Sequence, residues 1–273
     1  MTDSINTARL LSVAKKAALA AGEQARSMFS GPLDVTSKGF RDVVTDADVA
    51  AQAIITRSIL EAFPDHGFMP EEENPELPTD GPVVWIIDPI DGTTNYSRGV
   101  PIFCVSIAAV RPNSPITVED VLAGVIYDPM MDELFTATAG GPCLLEGKGL
   151  HGRLLQTSSV DTLQDALIGI DWPLTGDLRQ AMLDRVNALA HEVDVFRTLG
   201  SAALAMAWVA AGRLDAYFNF QLKAWDLAAA ALLVKQAGGV VMDMAGRPME
   251  LVPSNTTALL SNAHLTDALA IPE

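Results

Sequence analysis

The chain has 273 residues, of which 49% are hydrophobic and 19% charged, and its formal net charge is −16. This length and composition are typical of a globular protein with one large domain or two closely joined ones. The acidic balance argues against a nucleic-acid partner, because phosphate backbones are held mainly by Lys and Arg. No apolar run approaches the roughly 20 residues that a membrane-spanning helix needs. We therefore expect neither a nucleic-acid polymer nor a membrane as a partner.

The N-terminus and the cysteines indicate a cytoplasmic protein. The first residues, Met-Thr-Asp-Ser, do not begin a charged leader followed by an apolar segment, so we expect no signal peptide. The two cysteines, Cys104 and Cys143, lie in apolar surroundings that are typical of strands. This setting favours buried, reduced thiols over a disulfide bond.

The first part of the chain carries two segments with helical spacing. Apolar residues at this spacing predict a long amphipathic helix over residues 7–29. A second helix is predicted over residues 46–63, with Thr45 as its N-cap and Pro64 as its stop. Three prolines in residues 74–82 predict a loop.

After residue 82 the spacing of the apolar residues changes to one that is typical of β-strands. Short apolar runs bounded by Pro, Gly and Asp predict strands at residues 83–87, 103–110, 121–127, 133–138, 166–170, 215–220, 240–242 and 258–260. Helical spacing returns at residues 177–190, 201–211 and 225–237. The order of these elements predicts an α+β half, residues 1–150, beside an α/β half, residues 151–273, in a single unit.

The strongest chemical signal is residues 85–95, Trp-Ile-Ile-Asp-Pro-Ile-Asp-Gly-Thr-Thr-Asn. An apolar strand leads into Asp88 and Asp91, and the intervening Pro89 restricts the backbone. Gly92 permits a turn that other residues resist. Carboxylates at a rigid strand end can hold a hard cation, and free N–H groups at the next turn suit a phosphate. The alternative is an acidic turn in which both aspartates only cap the backbone.

Two further acidic segments strengthen the case for a cation site. Glu71-Glu72-Glu73 follows the apolar pair Phe68-Met69, as though a strand ended in carboxylates. Asp226 opens the predicted helix that begins at Trp225. Each also has a simpler reading, a solvated loop for the glutamates and a helix cap for the aspartate. Cations held by these carboxylates would allow an acidic protein to bind an anionic substrate.

Together these segments resemble the inositol monophosphatase family. They occur in the family's order over nearly the whole chain, and the most specific is Asp-Pro-Ile-Asp-Gly-Thr-Thr-Asn; the segments are residues 42–48, 71–72, 88–95, 225–226 and 238–239. The resemblance implies an α+β fold, the layered α-β-α-β-α sandwich that this family shares with fructose-1,6-bisphosphatases. It also implies a cytoplasmic, homodimeric, lithium-sensitive phosphatase that forms a single catalytic unit.

The resemblance further implies a mechanism and roles for individual residues. A small phosphorylated polyol, foremost inositol monophosphate, would be hydrolysed by direct attack of water with two magnesium ions and a weaker third one. The implied metal ligands are Glu71, Asp88, the carbonyl of Ile90, Asp91 and Asp226. The implied catalytic residues are Glu71, Thr93 and Asp48, of which the last two form a dyad that orients and deprotonates the water. The implied substrate-binding residues are Asp91, Gly92, Thr93, Thr94, Gly200, Ser201, Ala202 and Asn219.

The chain departs from the family pattern at positions that bear on the substrate. Pro70 stands where the family often has Gly. Asn219 stands where inositol-cleaving members commonly carry a Glu that binds ring hydroxyls. Lys223 would favour a more anionic substrate, unless it is a solvated loop residue. Fructose-1,6-bisphosphatase, histidinol-phosphatase and bisphosphate nucleotidase activity therefore stay open, as does a non-catalytic regulator that binds a phosphometabolite.

The sequence predicts neither a dinucleotide-binding site nor a zinc site. Residues 147–152 fit G-x-G-x-x-G, but their flanks read as two short strands, which predicts a hairpin turn instead of a dinucleotide site. The four histidines show no ligand spacing, so a zinc site is not expected.

Overall fold

The computed structural model describes residues 5–29, 31, 33–39 and 42–271. Within them the helices are α1 Thr7–Met28, α2 Asp46–Ala62, α3 Thr93–Ser97, α4 Gly176–Leu189, α5 Ala202–Ala210, α6 Ala224–Gln236 and α7 Thr266–Leu269. The N-terminal residues that bear on a signal peptide, Pro32 and the side chain of Asp42 lie outside the described residues. In the described part of the chain, no helix has both the length and the apolar content needed to cross a bilayer.

The strands form a hairpin and two larger sheets. The hairpin pairs β1 Val35–Gly39 with β2 Asp42–Thr45. The seven-stranded sheet has the spatial order β3 Gly67–Pro70, β4 Val84–Asp91, β5 Cys104–Val110, β6 Val121–Asp128, β7 Glu133–Thr138, β8 Leu144–Gly147 and β9 Leu150–Leu154. The five-stranded sheet has the order β11 Val195–Arg197, β10 Leu167–Ile170, β12 Ala216–Leu222, β14 Thr256–Ser261 and β13 Val240–Met242.

Alternation along β4 shows how the seven-stranded sheet joins two helical layers. Trp85 and Ile87 point to one face, where they pack with the buried faces of α1 and α2. Val84 and Ile86 point to the other face and join a core that includes α5 and α6. Because successive side chains of a strand point to opposite faces, the continuous apolar run of β4 is explained by burial on both sides.

The five-stranded sheet completes the layers on the far side of α5 and α6. Tyr217 of β12 packs in the same core as these two helices, whereas its neighbour Phe218 faces a separate core. That second core contains Met182 of α4 and Leu269 of α7. The resulting order is helices, sheet, helices, sheet, helices, which confirms the predicted α-β-α-β-α sandwich.

Most of the predicted elements are present, with ends displaced by a few residues. The G-x-G-x-x-G segment contains the turn between the antiparallel strands β8 and β9, with its two ends inside those strands, so the hairpin interpretation is confirmed. Cys104 and Cys143 are free and buried, as expected. The prediction missed the hairpin β1–β2, the short strand β11 and the short helix α7, since each is too short to show a hydrophobic period.

Candidate active site

The end of β4 presents two carboxylates on one side of the sheet. Regular pairing with β5 runs to Asp88 opposite Ser106 and resumes at Asp91 opposite Cys104, so β4 contains one extra residue. In a regular strand, residues three apart would point to opposite faces. A bulge re-aims the side chains that follow it. The bulge therefore explains how Asp88 and Asp91 come to the same cluster.

A third carboxylate reaches this cluster from α6. Asp226 lies in the first turn of that helix, and its carboxylate Oδ2 accepts the N–H of Lys223 at 2.7 Å. Carboxylate oxygens of Asp88, Asp91 and Asp226 all lie within 4.8 Å of one another. The structure thus brings together three of the residues that the sequence predicted as metal ligands.

The cluster has the properties of a cation site. Oδ1 of Asp88 is buried and has no hydrogen-bond partner among the described residues. Burial raises the pKa of Asp88 well above its ordinary value, and the charges of Glu71, Asp91 and Asp226 raise it further. The pKa of Asp226 is raised well above its ordinary value, first by burial and then by Asp91. A donor set made only of oxygens, which includes this buried oxygen of Asp88, fits a hard divalent cation such as Mg²⁺.

Asp91 also anchors the helix α5. Its Oδ2 accepts the hydroxyl of Ser201 at 2.5 Å and the N–H of Ala203 at 2.8 Å, and its Oδ1 accepts the N–H of Ala202 at 3.3 Å. Ser201 is 1% exposed. The predicted substrate residues Ser201 and Ala202 are therefore placed against Asp91, which fixes the orientation of this carboxylate.

The predicted dyad is assembled beside the cluster. The hydroxyl of Thr93 lies 3.1 Å from Oδ1 of Asp48 and 3.0 Å from the carbonyl oxygen of Ile90. The other oxygen of Asp48 accepts both the N–H and the hydroxyl of Thr45, at 2.7 and 2.5 Å. Burial raises the pKa of Asp48, although the bonds from Thr45 act in the opposite direction. The dyad is thus rigid, and its carboxylate is a stronger base than an exposed one.

Gly92 makes the turn between β4 and α3 possible. Its φ of 102° lies in the left-handed region, which side chains rarely adopt. A Cβ here would also lie 3.0 Å from the carbonyl oxygen of Ile102 and 3.1 Å from that of Gly200. The turn therefore holds Thr93 and Thr94 close to residue 200, on a distant part of the chain.

Glu71 lies at the edge of the cluster, immediately after β3. Its N–H donates to the carbonyl of Ile87 at 2.9 Å, which extends the parallel pairing of β3 with β4. Its charge is close enough to raise the pKa of both Asp88 and Asp48. The strand that the sequence placed before the glutamates is present, and it directs Glu71 to the site.

Two adjoining cavities open on the cluster. One, of about 220 Å³, is lined by Glu71, Gly92, Thr93, Thr94, Lys223 and Asp226, among others. The other, of about 440 Å³, is lined by Asp91, Thr94, Asp171, Trp172, Asn219 and Asp226, among others. The side chains of Thr94 and Asp226 border both cavities. A phosphate beside the cluster would therefore have room for an attached organic group in the larger cavity.

The sequence interpretation missed Asp171 and Gln221, which line the larger cavity. Asp171 directly follows β10, which is parallel to both of its neighbours, and ligands commonly bind at the carboxyl ends of such strands. An aspartate after an apolar run was the available signal. Asn219 lines the same cavity, but its Oδ1 accepts the N–H of Gln221 at 2.9 Å.

Comparison with known proteins agrees with this geometry. The model of the Inositol monophosphatase family matches residues 6–273. The chain belongs to the inositol monophosphatase family. As a member of this family it is a phosphomonoester hydrolase of a metal-dependent class, and the carboxylate cluster is the feature of its structure that fits a metal.

Individual relatives of this inositol monophosphatase family member cover most of its length. It is 41% identical to the inositol-1-monophosphatase of Mesorhizobium japonicum over 241 residues, 87% of this chain and 86% of the relative. It is 38% identical to Nus factor SuhB of Escherichia coli over 252 residues, 91% and 90% of the two chains. The solved structure of the extragenic suppressor protein suhB of Bartonella henselae has a TM-score of 0.84 and 33% identity, covering 95% of this chain and 96% of that one.

Proposed function

We propose that the protein is a magnesium-dependent phosphatase of small phosphorylated polyols, with inositol monophosphate as the foremost substrate. The main observation in support is that carboxylate oxygens of Asp88, Asp91 and Asp226 lie within 4.8 Å of one another, and that one buried oxygen of Asp88 has no hydrogen-bond partner in the part of the chain that the structure describes. The adjoining cavities offer separate space for a phosphate and for its alcohol. Fructose bisphosphate, histidinol phosphate and bisphosphate nucleotides are the alternative substrates on the same site.

The proposed ligands divide between two magnesium ions. Glu71, Asp88 and the carbonyl of Ile90 would hold one ion; Asp88, Asp91 and Asp226 would hold the other, and Glu71 would also serve a weaker third ion. Bound magnesium supplies positive charge that offsets the phosphate charge and makes a nearby water more acidic. The carboxylates have the oxygen chemistry that magnesium prefers.

The proposed role of Thr93 and Asp48 is to orient the attacking water and take its proton. The single proton of the Thr93 hydroxyl is shared between Asp48 and the carbonyl of Ile90, at 3.1 and 3.0 Å. Its lone pairs therefore remain available to accept a hydrogen bond from water. Because burial raises the pKa of Asp48, this carboxylate accepts a proton more readily than an exposed one.

The remaining substrate contacts in the proposal come from two chain segments. The turn of Gly92, Thr93 and Thr94 faces the phosphate, and it borders the smaller cavity with Gly200. Asp91, Gly200, Ala202 and Asn219 border the larger cavity, where the alcohol would lie. Ser201 acts in this proposal through its hydrogen bond to Asp91.

The proposal also includes properties that the family implies: a cytoplasmic homodimer, inhibition by lithium, and one catalytic unit whose two halves meet near residue 150. The net charge of −16 supports a protein without direct nucleic-acid contacts, although one relative is named a Nus factor.

The proposed function is tested by phosphate release from inositol 1-phosphate with magnesium, and by its loss in Asp91→Asn. We expect kcat/KM to fall at least about 10²-fold, because an electrostatic contribution of the metal site is lost. Asp161→Asn is the matched control, since Asp161 is exposed and far along the chain from the cluster. Activity of Asp91→Asn near that of the control would overturn the site assignment.

A further inference from the structure

The larger cavity contains a carboxylate that the proposed metal site does not use. Oδ1 of Asp171 accepts the N–H of Gly200 at 2.8 Å, and Oδ2 accepts the hydroxyl of Tyr217 at 3.2 Å. A carboxylate can accept about four hydrogen bonds. Among the described residues no other donor contacts the carboxylate of Asp171, so half of the carboxylate's acceptor capacity remains for a molecule in the cavity.

The backbone around Asp171 is held firmly. The amide of Asn219 donates to the carbonyl of Asp171 and to the hydroxyl of Tyr217, both at 3.2 Å. Oε1 of Gln221 accepts the N–H groups of Leu174 and Thr175 at 2.7 and 3.2 Å. The loop after β10 is thus tied to β12, and Asn219 acts here as a positioning residue. A group fixed in this way is prepared to recognise a ligand without further ordering.

The charged residues that line the larger cavity are all acidic. Its lining contains Asp91, Asp171 and Asp226, and no Lys or Arg among the described residues. Lys223 lines the smaller cavity instead, with its Nζ 5.1 Å from the ring centre of Trp225. Burial raises the pKa of Asp171 to about 7, and the charge of Asp91 contributes. Above that pH the Asp171 carboxylate is ionised, so it favours a hydrogen-bond donor in the cavity and repels a second anionic group, even where bound cations offset the charges of Asp91 and Asp226.

We propose that Asp171 determines specificity for the leaving alcohol: it accepts hydrogen bonds from hydroxyl groups of an uncharged polyol and rejects substrates that carry a second phosphate there. The inference rests on the proposed phosphatase function and names its substrate class more narrowly. In this proposal Asp171, in the loop after the neighbouring parallel strand β10, recognises the hydroxyls in place of Asn219, whose amide group makes hydrogen bonds within the fold.

The test compares two ratios of kcat/KM in wild type, Asp171→Asn and Asp171→Glu. The first is inositol 1-phosphate over 4-nitrophenyl phosphate, whose leaving group has no aliphatic hydroxyl. The second is inositol 1-phosphate over fructose 1,6-bisphosphate. In Asp171→Asn we expect both ratios to fall about 10- to 100-fold, the effect of one hydrogen bond to a charged group. In Asp171→Glu the charge remains, so the second ratio should fall less than in Asp171→Asn.

The two kcat/KM ratios distinguish a role of Asp171 in substrate specificity from a merely structural role. A partly unfolded variant lowers all three rates equally, so its ratios stay as in wild type, and that result would overturn the inference. Asp161→Asn is again the control and should leave both ratios unchanged. If wild type hydrolyses 4-nitrophenyl phosphate but does not prefer inositol 1-phosphate over either of the other two esters, the phosphatase proposal stands and the role of Asp171 fails. If wild type with magnesium hydrolyses none of the three esters, both proposals fail.

Discussion

Asp88→Asn is expected to lower kcat/KM by about 10³-fold while raising the melting temperature of the magnesium-free protein. Activity is expected to fall because the substitution removes a negative charge from the centre of the carboxylate cluster that is proposed to hold the metal. Stability rises because Asp88 is 2% exposed and lies beside Glu71, Asp91 and Asp226, whose charges oppose its ionisation. A neutral amide removes this repulsion with little change in shape.

The measurement pairs phosphate release with calorimetric unfolding in the absence of magnesium. Asp91→Asn provides an informative comparison, since Asp91 accepts hydrogen bonds from Ser201 and from two N–H groups at the start of α5. An amide there keeps only one acceptor oxygen, so Asp91→Asn should lose activity without gaining stability. A melting temperature for Asp88→Asn below that of magnesium-free wild type would show that the charge of Asp88 does not destabilise the metal-free fold.

Removal of magnesium is expected to abolish phosphate release and to lower the melting temperature more at pH 8 than at pH 5. At a magnesium concentration about 100 times its dissociation constant, binding stabilises a protein by about 2.7 kcal/mol. For a chain of this size, this corresponds to a shift of about 5 °C. The prediction is checked by calorimetry at both pH values, with and without magnesium, after dialysis against a chelator.

The pH dependence follows from the raised pKa values in the cluster. Burial raises the pKa of Asp88 and Asp226 well above the value of about 3.9 in an unfolded chain. Above about pH 4 the folded, metal-free protein thus binds more protons than the unfolded chain, and its stability falls as the pH rises through the raised pKa values. Magnesium bound at the proposed site would compete with these protons, so we expect its stabilisation to be largest at high pH.

The contribution of His66 to stability has the opposite pH dependence, but it does not affect the comparison of the protein with and without magnesium. Burial lowers the pKa of His66, so its contribution to stability is present at high pH and is lost as the pH falls. His66 accepts the indole N–H of Trp85 and contributes equally to stability with and without magnesium.

Asp88→Asn should remove most of the effect of magnesium on the melting temperature. Equal melting temperatures of wild type with and without magnesium at pH 8 would contradict this prediction.

Much of the fold was predictable because long amphipathic or buried segments carry their period in the sequence. The helices α1, α2 and α6 and the strands β4 to β7 appear near their predicted positions. The capping role of Thr45 was also predictable, since Asp48 lies at the spacing of a capping box. The capping interaction between Thr45 and Asp48 therefore sets the start of α2, the helix from which the Asp48 carboxylate contacts Thr93.

The parts that the sequence did not predict depend on contacts between distant segments. The bulge between Asp88 and Asp91 is defined by the pairing of β4 with β5, which the local pattern does not specify. Asp171 becomes a cavity residue only when β10 pairs with β12. The hydrogen bonds of Asn219 to Asp171 and Tyr217 were also unpredictable, because the sequence around Asn219 does not show that β10 lies beside β12. Its direct contact with substrate stays a prediction.

The most direct test of the metal site is anomalous diffraction from crystals soaked with manganese, which has similar oxygen-ligand chemistry to magnesium. We expect anomalous peaks within coordination distance of the carboxylates of Asp88, Asp91 and Asp226. Peaks only at other positions, in a protein that hydrolyses its substrate with manganese, would show that these three carboxylates do not form the metal site.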